Sequence, residues 1–153
     1  TVHDSPQYTG AYDRSKATVL KNLEAYPTIQ VVLDIHRDSI QRDASSKVKP
    51  TAEIGGKKAA QMMIVMGMMN TASVPHPDWQ ENLSLAVKVQ REMNTLWPTL
   101  ARPIGLRENR YNQQTTTGSL LVEIGAHGNT LQEALAAARC FARAAGAVLL
   151  AYK

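Results

Sequence analysis

Cysteine is almost missing from this sequence. A single residue, Cys140, excludes an internal disulfide and a cysteine-rich zinc site. Its place in an Ala-rich helical pattern suits a small buried hydrophobe. Long apolar runs are missing as well: none approaches the roughly 20 residues of a transmembrane helix. The basic start, apolar stretch and cleavage site of a signal peptide are not found either. Aromatics are sparse, at 5% of residues. A formal net charge of +4 invites a nucleic-acid reading, but the basic residues are dispersed. The nearest cluster, Lys47, Lys49, Lys57 and Lys58, has no interleaved aromatics and no reading helix beside it. Nucleic acid is therefore not the expected partner. Mild basicity equally suits an anionic polymer. Nucleophilic serine catalysis finds no support, because neither Ser39 nor Ser119 sits in a nucleophile elbow.

What is present is the alternation of an α/β protein, with 153 residues suiting one domain over 1–153. Residues 1–10 predict a loop. Val19, Leu20, Leu23 and Tyr26 recur at helical spacing over 11–26, and Pro27 ends that helix. A strand over 29–36 follows. Residues 37–58 predict a long polar loop holding a short strand pair. "AAQMMIVMG", 59–67, predicts a second buried strand, with Met62, Met63, Met66, Met68 and Met69 as core filler rather than a soft-metal box. Asp78 and Glu81 predict a capping box for a helix running to about Trp97. A weak strand lies in "ARPIGLRENR" and a strong one in "SLLVEIG", 119–125. Thr130 and Glu133 open the last helix. The expected fold is a single three-layer α/β domain, with a mostly parallel central sheet and helices on both faces.

Two strands end in unexpected polarity. "VVLDIHRDS" turns from Val31-Val32-Leu33 to Asp34, His36, Arg37 and Asp38. Ligand sites gather at the carboxyl ends of strands in open α/β sheets. An imidazole between carboxylates there suits a metal ligand, a general base, a substrate clamp, or simply a strand leaving into a polar loop. Glu123, inside "LLVEIG", is the more telling residue. Burying an unpaired charge costs several kcal/mol, so Glu123 needs a partner, a metal or a solvated cleft. Zinc enzymes usually supply three protein ligands, and no HExxH or other close-spaced pair occurs, so any metal site must be assembled from distant segments. His76, between prolines, is expected in solvent. His127 follows the Glu123 strand, and His3 lies in the opening loop.

"TVHDSPQYTGAYDRSKATV", "VVLDIHRDS" and "RYNQQTTTGSLLVEIGAHGNTLQEA" together resemble the stage II sporulation protein P family, over nearly the whole chain and in the family's order. These are cell-wall hydrolases of endospore-forming bacteria, related to zinc-dependent N-acetylmuramoyl-L-alanine amidases. The resemblance implies zinc as cofactor, His36 as a zinc ligand and Glu123 as the general base on its water. It implies peptidoglycan as substrate, cut between N-acetylmuramic acid and L-alanine and in some relatives within peptide crosslinks. Arg37, Asp38, Tyr111 and Asn112 fall within family motifs, and Arg37, Asp38 and Asn112 are candidates to contact substrate. Other sporulation membrane proteins are implied partners, and the parent protein is expected to be extracytoplasmic and membrane-anchored. One departure stands out: an earlier His-containing motif of the family has no counterpart here. The chain is accordingly expected to be an amidase-like domain lacking its N-terminal part, with His3 and His127 as candidate further ligands. The alternative is a non-catalytic wall-binding or partner-docking module on the same scaffold.

Overall fold

The apolar run at 31–33 does form a strand, but at the edge of the sheet. The computed structural model describes residues 2–68 and 70–151; Met69, grouped above with the core methionines, lies outside them. In chain order come helix α1 (Ala11–Ala25), strands β1 (Val31–Asp38), β2 (Thr51–Ile54), β3 (Lys57–Ala60) and β4 (Met62–Gly67), and helix α2 (Trp79–Leu96). Strand β5 (Gly105–Arg107), a 3-10 turn (Gln113–Thr115), strand β6 (Gly118–Ala126) and helix α3 (Leu131–Leu150) complete the chain. Four strands form one sheet in the order β1-β6-β4-β5, while β2 and β3 form a separate hairpin. β1 runs parallel to β6 and β5 parallel to β4, but β4 and β6 are antiparallel. The sheet is thus mostly parallel, with one antiparallel junction at its centre.

The two central strands carry long, largely buried apolar runs. Met62, Ile64 and Met66 of β4 and Leu120, Val122 and Ile124 of β6 pack against α2 and α3 through Val89, Met93, Ala137 and Phe141. Cys140 is partly buried against the same core. The alternate side chains Met63, Val65 and Leu121 form a smaller cluster with Tyr111 on the opposite face. There α1 sets Tyr12 edge-on against Tyr111, with ring centroids 5.9 Å apart, and buries none of its own residues. This second face therefore stays open in front of β6. β1 is less covered than its sequence predicts: Leu33 and Ile35 are exposed, because no described element lies beyond β1 in the sheet.

Three local expectations are corrected. The apolar stretch 59–67 is two strands of different sheets, divided at Gln61. There the backbone N–H donates to Pro50 O (3.0 Å) and the side chain to Thr99 O (2.9 Å). Asp78 precedes α2 but makes no side-chain cap bond. Its φ of −98° and ψ of 23° depart from the extended geometry that aims a cap carboxylate at the first turn. His76, expected in solvent, is buried. Its Nε2 lies 3.3 Å from Asn82 Nδ2, which donates to Gln113 O at 2.7 Å. Gln113 in turn donates from Nε2 to Val65 O and accepts from Gly67 N, both at 2.8 Å. Its amide thus satisfies β4 beyond Val65, the last residue that pairs with β6.

The predicted capping box of α3 forms. Thr130 Oγ1 accepts from Glu133 N (3.2 Å) and Glu133 Oε2 from Thr130 N (3.0 Å). Lys49 Nζ lies 2.8 Å from the other carboxylate oxygen. Led by the Lys49 contact, these donors hold the Glu133 carboxyl down from 4.5 to about 2. A depressed folded value stabilises the fold fully above pH 4.5, and that contribution drains away as pH falls toward 2. Glu133→Gln is expected to melt below wild type at pH 7 and to converge on it by pH 2, in thermal melts monitored by circular dichroism. Melting curves separated by the same interval at both pH values would count against this role.

Candidate active site

His36 and Glu123 meet because β1 and β6 pair in parallel with these two residues in register. Register partners share a face of the sheet, and the same pairing places Asp34 beside Leu121. On the other side of β6, Glu123 is in register with Met63 of β4. The result is a cavity of about 240 Å³ with an apolar floor of Met63, Val65 and Leu121. Its polar wall is His36, Asp38, Arg107 and Glu123, and Tyr8, Tyr12 and Tyr111 stand around it. An adjoining cavity of about 220 Å³ is lined by His3, Asp4, Asp34 and His36.

The electrostatics of the cavity divide its two central groups. Glu123 is half-buried, and its Oε2 is shielded from solvent with no hydrogen-bond partner among the described residues. Burial raises its pKa above 4.5 and Asp38 adds to that, while His36 and Arg102 oppose it. His36 Nε2 lies 2.9 Å from Asp34 Oδ1. That bond is the main reason its pKa is raised, against the opposing effect of burial. The Tyr12 phenol is pushed well above its ordinary 10, first by burial and then by Asp34. The cavity thus holds a carboxyl that is costly to ionise beside an imidazole oriented by its own carboxylate.

The other expected site residues separate into those that reach the cavity and those that do not. Asp38 lines it, with Oδ2 held by Arg102 Nη1 at 2.8 Å. Arg37 alternates to the other face, as a residue next to His36 on a strand must. Its Nη2 donates to Ala126 O (2.6 Å) and Asn129 O (2.5 Å), which clamps the end of β6. Asn112 also serves structure: its Nδ2 donates to Tyr12 O (2.7 Å) and Ser15 Oγ (3.1 Å), tying α1 to the turn. Tyr111 and Asn112 both have positive φ, 49° and 57°. Such backbone costs of order 1–3 kcal/mol and recurs at sites where geometry is imposed. His3 sits beside His36 across the adjoining cavity, but its Nε2 is engaged with Thr18 Oγ1 at 2.9 Å. His127 follows β6, donating its backbone N–H to Asp38 O (2.8 Å), and its Nε2 is buried without a hydrogen-bond partner among the described residues.

Among the described residues no group of three or more His, Cys, Asp or Glu side chains is placed to hold a metal ion. The orphaned Glu123 oxygen and the Asp34-oriented His36 fit one ligand position with a base beside it. They do not fit a full zinc shell, which takes four donors. Sequence reasoning missed Arg102, Arg107, Tyr8 and Tyr12. The two arginines lie on or next to the short β5, whose three residues carry too little alternation to reveal a face.

A sequence model of the stage II sporulation protein P family matches residues 1–146. The stage II sporulation protein P of Bacillus subtilis (strain 168) is 30% identical over 140 residues, covering 88% of this chain and 32% of that protein. The chain spans about a third of the length of this curated relative. No solved structure matches. No helix among the described residues is long and apolar enough to cross a membrane. With His36, Glu123 and the strands that bear them all inside the matched 146 residues, this chain belongs to the stage II sporulation protein P family.

Proposed function

We propose that this chain forms part of a sporulation cell-wall hydrolase that cleaves the amide between N-acetylmuramic acid and L-alanine of the peptidoglycan stem. The observation that carries this reading is the in-register pair of His36 and Glu123 at one open cavity. Glu123 accepts the proton of the attacking water and returns it to the departing amine. Its raised pKa brings it closer to neutrality than an exposed carboxylate, which favours both transfers. Asp34 takes the Nε2–H of His36, fixing the ring and leaving Nδ1 with its lone pair. The proposed cofactor is zinc, with His36 as one ligand beside donors that the described residues do not supply. Zinc, were it held there by His36 with further donors, would supply an activated water and polarise the scissile carbonyl. The apolar floor of Met63, Val65 and Leu121 limits competing water around Glu123. Cleavage of peptide crosslinks, an extracytoplasmic, membrane-anchored parent and sporulation membrane proteins as partners belong to the same proposal.

The incomplete set of donors favours a second reading, a wall-binding or partner-docking module on the amidase scaffold. Product analysis separates the two. Full-length protein incubated with purified sacculi is expected to expose new L-alanine amino termini without new reducing ends. Protein that sediments with the sacculi and exposes no amino termini would overturn the hydrolase and support the module.

A further inference from the structure

We propose that Arg107 clamps a carboxylate on the peptide part of the substrate, and so selects stem peptides whose second residue carries a free rather than an amidated α-carboxyl. This inference rests on the peptidoglycan reading and assigns one side of that cavity.

Three observations carry it. The first is placement. β5 pairs with β4 so that Val65 is in register with Gly105 and Gly67 with Arg107, which puts Arg107 on the face that carries Met63 and Glu123. Arg107 lines the same cavity as His36, Tyr111 and Glu123. The second is how its head is held. A Cβ built at Gly105 would lie 3.5 Å from both Cζ and Nη2 of Arg107 and 3.2 Å from Met63 Sδ. The guanidinium therefore folds back along β5 over the space left by a glycine, toward the cavity and away from the strand tip.

The third observation is charge. The ion pairs of the described residues engage Lys49 and Arg102, each with a carboxylate, and His36 with Asp34 only when the ring is protonated. Arg102, near Glu123, is taken by Asp38. Arg107 donates from Nη1 to Leu106 O at 3.0 Å and has no carboxylate partner among the described residues. Arg107 is exposed at the rim of the cavity, and apart from the Nη1 bond its donors have no partner among the described residues. A guanidinium edge of this kind matches a carboxylate in two-point geometry.

The spacing suits the second residue of the stem. Neighbouring strands lie about 4.8 Å apart, so β5 is roughly 10 Å from β6. Two residues of extended peptide span about 7 Å, and the arginine side chain bridges the remainder. In peptidoglycan the D-glutamyl residue after L-alanine is linked onward through its γ-carboxyl, which leaves the α-carboxyl either free or amidated. A free carboxylate gains charge-assisted hydrogen bonds from Arg107, and a carboxamide at that position does not.

Binding measured by titration calorimetry on the full-length protein tests this, with two probes whose γ-carboxyl is blocked as a methylamide: N-acetylmuramoyl-L-alanyl-D-glutamate with its α-carboxyl free, and the same compound with that carboxyl amidated. Wild type is expected to bind the free acid at least about 10-fold more tightly. Arg107→Ala should bind both probes alike with an unchanged melting temperature, and Arg107→Lys should keep part of the preference as a point charge. An undiminished preference in Arg107→Ala, or none in wild type, would overturn the clamp. The two inferences fail separately. Hydrolysis of sacculi without the preference leaves the hydrolase and removes the clamp. An Arg107-dependent preference without hydrolysis removes the hydrolase and leaves a peptide-binding site.

Discussion

Replacing Glu123 with glutamine is expected to lower peptidoglycan hydrolysis by the full-length protein about 10²–10⁴-fold, the usual contribution of a positioned general base. The amide has the same shape, so it keeps the cavity but cannot take a proton. The substitution should spare the fold. The buried Oε2 has no hydrogen-bond partner to lose, and removing the charge relieves repulsion from Asp38 and Asp34. The pH dependence of stability supplies an independent check. A carboxyl whose folded pKa is raised favours the fold while protonated and opposes it once ionised. Wild type should therefore lose stability as pH rises from 4.5 through the raised value, and Glu123→Gln should lack that component. In parallel, the hydrolysis rate of wild type should climb with pH through the same ionisation. Dye release from labelled sacculi and thermal melts between pH 4 and 8 measure both. A glutamine variant that digests sacculi at the wild-type rate would remove Glu123 from the role of base.

The sequence shows the site's two central residues because each breaks a strong local pattern. An imidazole and a carboxyl interrupt runs of Val, Leu and Ile, and such interruptions at strand ends need a chemical reason. The same logic succeeds for α3, where Thr130 and Glu133 satisfy each other within one turn. It fails where the outcome depends on distant chain. Nothing local to "VPHPD" signals that Asn82 and Gln113, 6 and 37 residues further on, enclose His76. Nothing within 59–67 signals that Pro50 and Thr99 divide the run at Gln61. The antiparallel junction of β4 and β6 is a matter of topology, which hydrophobic period does not encode. Arg37 is a different case, since strict alternation from His36 already assigns it to the opposite face.

Gly125→Ala is expected to destabilise the protein by about 2–6 kcal/mol, the sum of two costs. Gly125 has φ of +72°, a conformation that costs a residue with a side chain of order 1–3 kcal/mol. A Cβ there would also lie 2.6 Å from Ala60 Cβ and 2.9 Å from Asn129 Oδ1, and overpacking of this kind costs about 1–3 kcal/mol. For a chain of this size the melting temperature should fall by roughly 4–24 °C. The glycine matters to the site through register. His36 pairs with Glu123 but Asp38 with Ala126, so two residues of β6, Ile124 and Gly125, oppose Arg37 alone. This bulge interrupts the ladder just past Glu123, and beyond it Ala126 N donates to Asn129 Oδ1 at 2.9 Å. Gly146 provides the control: it lies within α3 with nothing within 4 Å of a built Cβ. Gly146→Ala should therefore be neutral or stabilising by up to about 1 kcal/mol. If Gly125→Ala melts with wild type, the bulge is not where the β1–β6 register places it, and the pairing that brings Glu123 to His36 loses its support.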